Sequence, residues 1–482
     1  MRRDILIILV FLQIVFGISH LKAQPNSLYF LKGVPQTKDL NPARPGIEKG
    51  FYIGMPLASK LDISFNTNNW SYNDLIHRGS GVMADSLVLD FPKYLSSLDK
   101  NNFINVSSAL TLFEFGWKGE RDFYSFSWTE RQFAEPFFTK NLANLLYYGN
   151  EPYIGSTYHS GYFGVGAAHY RELAFTFARE LNKKISVGIT GKMLFGLAGV
   201  KTSGVNFVGG MPISGDQIDL GASGKVSFSA PFNVDIQNNN GYQMFAKDNF
   251  DLNNYFSNFG NPGVAVDLGF SNKVSEDFEW SVSIVDLGFI TWTKDVTTFT
   301  ENGHFLYSGV NLDVPTNTPP TTTNVKKLFY DLNNSILDAF SPVESNSSFA
   351  SLLPVKLYLA GEYKLNDGIT LGGLARVRIF NNQIHTSLTA SANARITRNL
   401  SMSASYSAME STYDNVGFAA AFKLGFVQLY AASDNVPAFF QPTTARNANL
   451  RFGINLIFQD PATKKWEVYK RRQPRAAPGC PF

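Results

Sequence analysis

Few residues in this sequence are spaced for making or breaking bonds. His169 and Glu172 stand close enough for acid–base work. No nucleophile accompanies them, so the histidine reads as a girdle or lumen residue of a strand. Gly221-Ala222-Ser223-Gly224-Lys225 has the look of a phosphate loop. Its first glycine is at the wrong distance and Val226 replaces the Ser/Thr that would hold magnesium, which leaves glycines inside a strand as the reading. There is no Gly-x-Ser-x-Gly elbow and no His-Glu-x-x-His pair. The six histidines are scattered without metal-ligand spacing, and the one cysteine, Cys480, excludes an intramolecular disulfide framework and a cysteine-based metal cluster. The expectation is a protein that is not an enzyme and holds neither metal nor cofactor.

What remains is charge placed at particular positions. Lys356, Glu362, Arg376, Arg378, Arg395 and Arg451 interrupt otherwise apolar or small-residue runs. Two readings stand: they set ion or solute preference in a lumen, or they pair with carboxylates to hold a filled interior. A second group lies at the end, where Lys464, Lys465, Lys470, Arg471, Arg472 and Arg475 are opposed only by Glu467. This 459–482 tail is either a solvated periplasmic extension or a docking tail for an acidic partner, the cell wall or anionic headgroups. The formal net charge of +3 gives no global field pointing to nucleic acid.

The elements that must position these charges are strands. From Leu353 to Phe458 the chain alternates strictly: Leu450, Phe452, Ile454, Leu456 and Phe458 interleave with Asn449, Arg451, Gly453 and Asn455. Met402, Ala404, Tyr406 and Ala408 interleave with Ser401, Ser403, Ser405 and Ser407. A period of two gives each strand one apolar and one polar face. Each run has about 10 residues, the length of a tilted strand crossing a bilayer. In a soluble sandwich the apolar face meets a second sheet; here the opposite face is small and polar, which suits a watery or polar-filled lumen. The reading is all-β, a transmembrane antiparallel β-barrel of the outer membrane. Hydrophobic content of 44%, charged content of 17%, 42 Phe and 21 Tyr suit such a barrel and its aromatic girdles.

In chain order, residues 1–23 read as a signal peptide: Arg2 and Arg3 precede the apolar Ile5–Ile18, and Ala23 ends it. An exported barrel belongs in the cell outer membrane, since inner membranes are spanned by helices. Residues 24–49 are a proline-punctuated leader, either extended or folded into the lumen as a plug. Residues 50–458 form the barrel, with long loops at 68–102, 133–160, 238–262 and 313–352. Helical patches fall at Phe91–Leu98, Glu135–Tyr148 and Val325–Phe340. Short turns in such barrels face the periplasm, so any two must be separated by an even number of strands. Between the turns at Ser275 and Asp367 the pattern shows three, so the count is off by one within 278–365, most simply within 289–312. Two short strand candidates flank Ala58-Ser59-Lys60. The corrected count is 14 or 16.

Asn41-Pro42-Ala43 in the leader resembles the hatch motif of FadL-type long-chain fatty-acid channels and of the PorV-like and PorP/SprF-like barrels of Bacteroidota. Tyr72-Asn73-Asp74-Leu75 adds weight to that resemblance, and Gly263–Gly269, ending in Asp267-Leu268-Gly269, resembles the Asp-Leu-Gly strand repeated across those barrels, with Asp286-Leu287-Gly288 repeating it. The chain as a whole resembles the DUF5723 family of Bacteroidota outer-membrane proteins. That resemblance implies a FadL-like barrel of 14 strands and no particular solute. The functions it implies are passage of a hydrophobic or amphipathic small molecule past the plug, or an accessory role in a surface secretion or adhesion complex with a periplasmic or surface protein partner.

Overall fold

The computed structural model describes residues 27–81, 84–149, 151–211, 218–230, 234–237, 243–246, 255, 258–307, 343–381, 383–409 and 412–459. The signal peptide expected at 1–23, the helix expected at Val325–Phe340 and the basic tail with Cys480 lie outside the described residues.

Fourteen antiparallel strands close into a barrel. β1 is one strand in two pieces, Gly50–Gly54 and Leu61–Thr67. There follow β2 (Asn101–Lys118), β3 (Asp122–Thr139), β4 (Gly164–Glu180) and β5 (Ile185–Met211). β6 (Pro262–Lys273), β7 (Phe278–Trp292), β8 (Val355–Lys364), β9 (Ile369–Phe380) and β10 (Gln383–Arg395) continue the wall. β11 (Leu400–Met409), β12 (Thr412–Leu424), β13 (Val427–Ser433) and β14 (Asn447–Gln459) complete it. Both pieces of β1 pair with β2 on one side and β14 on the other, which removes the sheet edges.

The interruption in β1 spans residues 55–60: Met55 and Leu57 stay exposed, Leu57 with a left-handed backbone (φ 60), while Ser59 and Lys60 are buried. The two strand candidates around Ala58 are therefore one barrel strand. The surplus strand in 289–312 is also explained. Val296–Tyr307 is a strand, but it leaves the barrel and pairs with Ile218–Ser229, a ribbon that also borders the far half of β5. Gly221–Lys225 lies within that ribbon and forms no phosphate loop. β3 runs on to Thr139, so the helix expected from Glu135 starts at Lys140 and ends at Tyr148. Thr139 caps it by accepting from the Leu142 N–H.

Alternation sorts the wall as bulk chemistry requires. Leu268, Leu287, Phe418, Leu450 and Phe452 project outward, while Ser387, Thr389, Ser403, Ser405 and Asn455 are buried inside. Hydroxyls pair across strands on the inner face, as in Thr111–Thr129 (3.0 Å), Thr176–Thr190 (2.9 Å) and Thr389–Ser407 (2.8 Å). Near the short turns the outer face carries stacked rings: Phe51 on Phe458 (4.6 Å), Phe426 on Phe458 (5.7 Å) and Trp117 on Tyr124 (6.0 Å). This is an interfacial girdle. Among the described residues no helix is long and apolar enough to cross a membrane.

Candidate functional site: the plugged lumen

Residues 27–49 enter the barrel and occupy its lumen at the short-turn end. Leu28, Phe30, Leu31, Val34 and Leu40 are each at most 6% exposed and pack on inward-facing Val285, Tyr358, Leu374, Ala421 and Tyr430. Burying each such side chain contributes about 1.5–3 kcal/mol. The leader is therefore a folded plug with a core of its own. A 3-10 turn, Pro35–Asp39, reverses it, with Pro35 supplying the fixed φ that starts the turn.

Polar contacts fix the plug in register. Gln36 donates to Glu114 (3.1 Å) and Asn455 (2.9 Å), and Lys38 pairs with Glu114 (3.0 Å) and Asp39 (2.8 Å). Asp39 also binds Lys60 from the interruption in β1. Arg44 pairs with Glu362 (2.6 Å), as does Lys32 (2.7 Å). At its far end Ser27 donates its N–H to Asp434 (2.6 Å).

The Asn-Pro-Ala motif docks against glycines of the wall. Asn41 Oδ1 accepts from the Ala43 N–H (3.0 Å), and its Nδ2 donates to Tyr29 Oη (3.0 Å), which meets Ser281 (3.0 Å). A Cβ on Gly269 would lie 2.2 Å from Asn41 Oδ1, and one on Gly188 would lie 2.3 Å from the Pro42 carbonyl carbon. Only glycine admits the motif at those two places. The Asp-Leu-Gly repeats thus have a physical content. Leucines 268 and 287 face outward, the aspartates face inward, and Gly269 receives the plug. Gly288 closes instead on the wall, 2.2 Å from the Val264 carbonyl for an added Cβ.

Above the plug is a cavity of about 110 Å³, with Asp39 and Leu40 among its lining. Its walls carry Lys60, Arg131, Lys356, Arg376, Arg378 and Arg451 against Asp39, Asp62 and Asp286. Behind them runs a buried ion network. Lys192 contacts Asp286 (2.5 Å), Asp267 (2.7 Å) and Glu172 (3.8 Å); Lys356 shares Asp286 (2.6 Å); Arg131 pairs with Glu172 (2.8 Å). Asp286 has a left-handed backbone (φ 62) and donates its N–H to Asp267 (2.7 Å) at a bulge in β6–β7. Arg378 pairs with Glu135 (2.6 Å), and Arg451 with Asp62.

Of the six lumen charges expected from sequence, Lys356, Arg376, Arg378 and Arg451 line this one cavity. Glu362 lies lower and anchors the plug through Arg44. Arg395 sits half-exposed at the rim near Glu48 (3.6 Å). His169 and Glu172 do not come together: Glu172 faces the lumen, whereas His169 lies on the outer side with Tyr255 (3.1 Å) and Glu130 (3.5 Å). Sequence reasoning missed Arg131, Lys60, Glu135, Asp62 and the motif aspartates as lumen groups. The signal for Asp267 and Asp286 was available, since an acid inside a strand-length apolar run can face only the lumen. Among the described residues no group of His, Cys, Asp and Glu is arranged to hold a metal.

A closed antiparallel barrel with an apolar outer belt, a polar lumen and an inserted N-terminal plug defines the class: a plugged outer-membrane barrel. The chain belongs to the family of unknown function DUF5723, which matches residues 45–434. No curated protein matches it. Solved structures similar to it include a Pseudomonas aeruginosa FadL homologue, 9% identical, covering 92% of this chain and 100% of that one (TM-score 0.39). The Pseudomonas putida toluene transporter TodX is 8% identical over 91% of this chain and 97% of that one (TM-score 0.35). The Ralstonia pickettii toluene transporter TbuX is 10% identical over 92% and 100% (TM-score 0.35). Likeness at these scores adds nothing to what the barrel itself shows.

Proposed function

We propose that this barrel passes a hydrophobic or amphipathic small solute across the outer membrane, with residues 24–49 as the element that closes it. The observation that carries this reading is the form of the closure. The lumen is blocked at one end by a discrete segment of the chain, and a cavity remains above that segment. Several of the plug's charged contacts, such as Lys32 with Glu362, are at the lumen side of the periplasmic rim, where water competes with them. Apolar contacts and buried polar ones such as Lys38 with Glu114 hold the rest, so passage works by local rearrangement of the plug, since expelling all of it would expose its whole apolar core. Planar-bilayer conductance and liposome uptake of the mature chain beside a 24–49 deletion test this. Closed wild type with a conducting deletion is the expected result. A folded deletion that neither conducts nor passes solute would sink it.

A second reading, an accessory barrel of a surface secretion or adhesion complex, is favoured by one feature. The loops opposite the short turns expose Leu87 (74%), Leu146 (79%) and Phe440 (81%). Phe91 of one loop stacks on Tyr147 of the next (5.3 Å), and the Asn73 N–H donates to the Thr443 carbonyl of a third (2.8 Å), so these loops form a continuous surface. Apolar side chains on such a surface suit a protein partner. Co-purification of a stoichiometric partner that is lost on Leu146→Asp and Phe440→Asp substitution would establish it.

A further inference from the structure

On the lumenal face three basic side chains stand in one row. Lys356 of β8 is directly opposite Arg378 of β9, and Arg378 is directly opposite His385 of β10. Like charges placed opposite one another, as Lys356 and Arg378 are, oppose formation of a sheet. Arg376 is the next inward residue on β9 and lies over the Tyr358 ring at 5.5 Å. Arg131 from β3, Lys60 beside β1 and Arg451 from β14 reach the same cavity from other walls.

Carboxylates offset part of this charge, and several are shared. Asp39 serves both Lys38 and Lys60. Asp286 serves Lys192 and Lys356, and Glu172 serves Lys192 and Arg131. On the cavity wall itself six cationic side chains face three carboxylates. Arg378 carries a donor that these carboxylates do not take. Arg378 is 3% exposed, its Nη2 is held by Glu135, and its Nη1 has no hydrogen-bond partner among the described residues. A buried donor without an acceptor costs about 1–3 kcal/mol.

We propose that this cavity is a binding site for a phosphate-class oxyanion, as the free ion or as the head group of an amphiphile. Its donors converge from separate strands instead of forming one planar fork. A carboxylate presents two oxygens in a plane, which a single guanidinium satisfies. A phosphate directs three or more oxygens apart and can meet Arg376, Arg378 and Arg131 or Lys356 together. The cavity suits a small head group, a water taking about 30 Å³ of liquid volume. An attached tail leaves on the side away from the plug, because Asp39 and Leu40 close the floor. The assignment deepens the passage reading by naming the head group, but it is a statement about binding and is tested without flux.

The test is calorimetry on the folded mature barrel in a non-ionic detergent, with inorganic phosphate against acetate and dodecyl phosphate against dodecanoate. The expected result is at least a tenfold preference for the phosphate member of one or both pairs. Preference in the first pair identifies the free ion, and preference in the second alone identifies a head group. Arg376→Gln should weaken that binding at least tenfold. The double variant Arg378→Gln/Glu135→Gln, which removes a guanidinium without stranding its carboxylate, should do the same. No preference in either pair overturns the proposal. So does unchanged affinity in both variants when they still show heat-modifiable migration. If neither variant folds, the wild-type comparison decides alone. Liposome flux of the bound species is measured separately, so a site that binds phosphate but passes nothing removes the passage reading and leaves this one standing.

Discussion

Asp286 shows how one residue combines backbone and charge. Its φ of 62 is a conformation that asparagine tolerates and alanine does not. Its carboxylate holds Lys192 and Lys356 in a buried setting. Asp286→Asn therefore removes the charge alone, and Asp286→Ala removes it and adds strain of about 1–2 kcal/mol. Breaking a buried pair costs about 3–5 kcal/mol; Asp267 still offsets Lys192, so the lower end applies. The midpoint temperature of heat-modified migration should fall for Asn and fall further for Ala. Equal midpoints for all three would show that the network does not hold the barrel. At Gly269 the effect is steric. Gly269→Val should displace Asn41 and the following Pro42-Ala43, cost about 1–3 kcal/mol as overpacking does, and raise single-channel conductance in a barrel that still folds. The cations of the lumen were legible in the sequence because Lys356, Arg376, Arg378 and Arg451 break an alternating run. The pairings were not, because Arg378 on β9 meets Glu135 on β3, strands that are distant in sequence and are brought face to face only by the closed barrel.

At the scale of elements, alternation and turn chemistry revealed an antiparallel meander of 14 or 16 strands, the family resemblance chose 14, and the even-strand rule placed an error within 289–312. What the pattern lacked was any sign that Val296–Tyr307 pairs outside the barrel. A strand in an extracellular ribbon and a strand in the wall have the same period, and only the partner differs. The broken β1 was hidden for the opposite reason, since Ala58-Ser59-Lys60 divides the run into two short strand candidates while both pieces keep the same two neighbours. The loop 68–100 carries a small latch. His77 sits on the Arg78 carbonyl (3.0 Å) and Asp90 (3.2 Å), and these contacts raise its pKa above the usual 6.5, against a smaller opposing effect of Lys93. Asp90, which caps the helix Phe91–Ser97 by accepting from the Lys93 N–H, is correspondingly lowered. A raised histidine stabilises the loop fully below its unfolded pKa, and the contribution is lost as pH rises through the folded value. A lowered aspartate contributes above its unfolded pKa, and its contribution is lost as pH falls through the folded one. The latch is therefore strongest in the mildly acidic window between them. An imidazole NMR titration of His77 should give a midpoint above 6.5 that falls only part of the way toward it in Asp90→Asn, because the larger Arg78 carbonyl contact remains. A midpoint at or below 6.5 in wild type would remove the latch.

For the whole molecule, the decisive question is which solvent meets the outer wall, because plug, cavity and ion network all depend on the barrel lying in a bilayer. Leu268 and Leu287 are outward, 43% and 48% exposed on the bare protein, and stand near mid-height of β6 and β7. In water such side chains would be a liability spread around the full circumference, whereas in hydrocarbon they are the favoured surface. An arginine at mid-depth on the lipid face costs about 2–4 kcal/mol, and one near the interface costs about 0–1 kcal/mol. Leu268→Arg should therefore lower barrel stability in bilayers by about 2–4 kcal/mol. Leu146→Arg, on the helix Lys140–Tyr148 beyond the wall, should change it little, although Leu146 is the more exposed of the two at 79%. The size of the contrast carries the argument, because in a soluble barrel an outward arginine at 43% exposure keeps its head group in water and costs far less than one in hydrocarbon. Folding titrations in urea with lipid vesicles, read by tryptophan fluorescence and heat-modified migration, separate the two outcomes. Equal stability of the two variants would place the outer wall in water and would withdraw the membrane setting on which the plugged-passage reading rests.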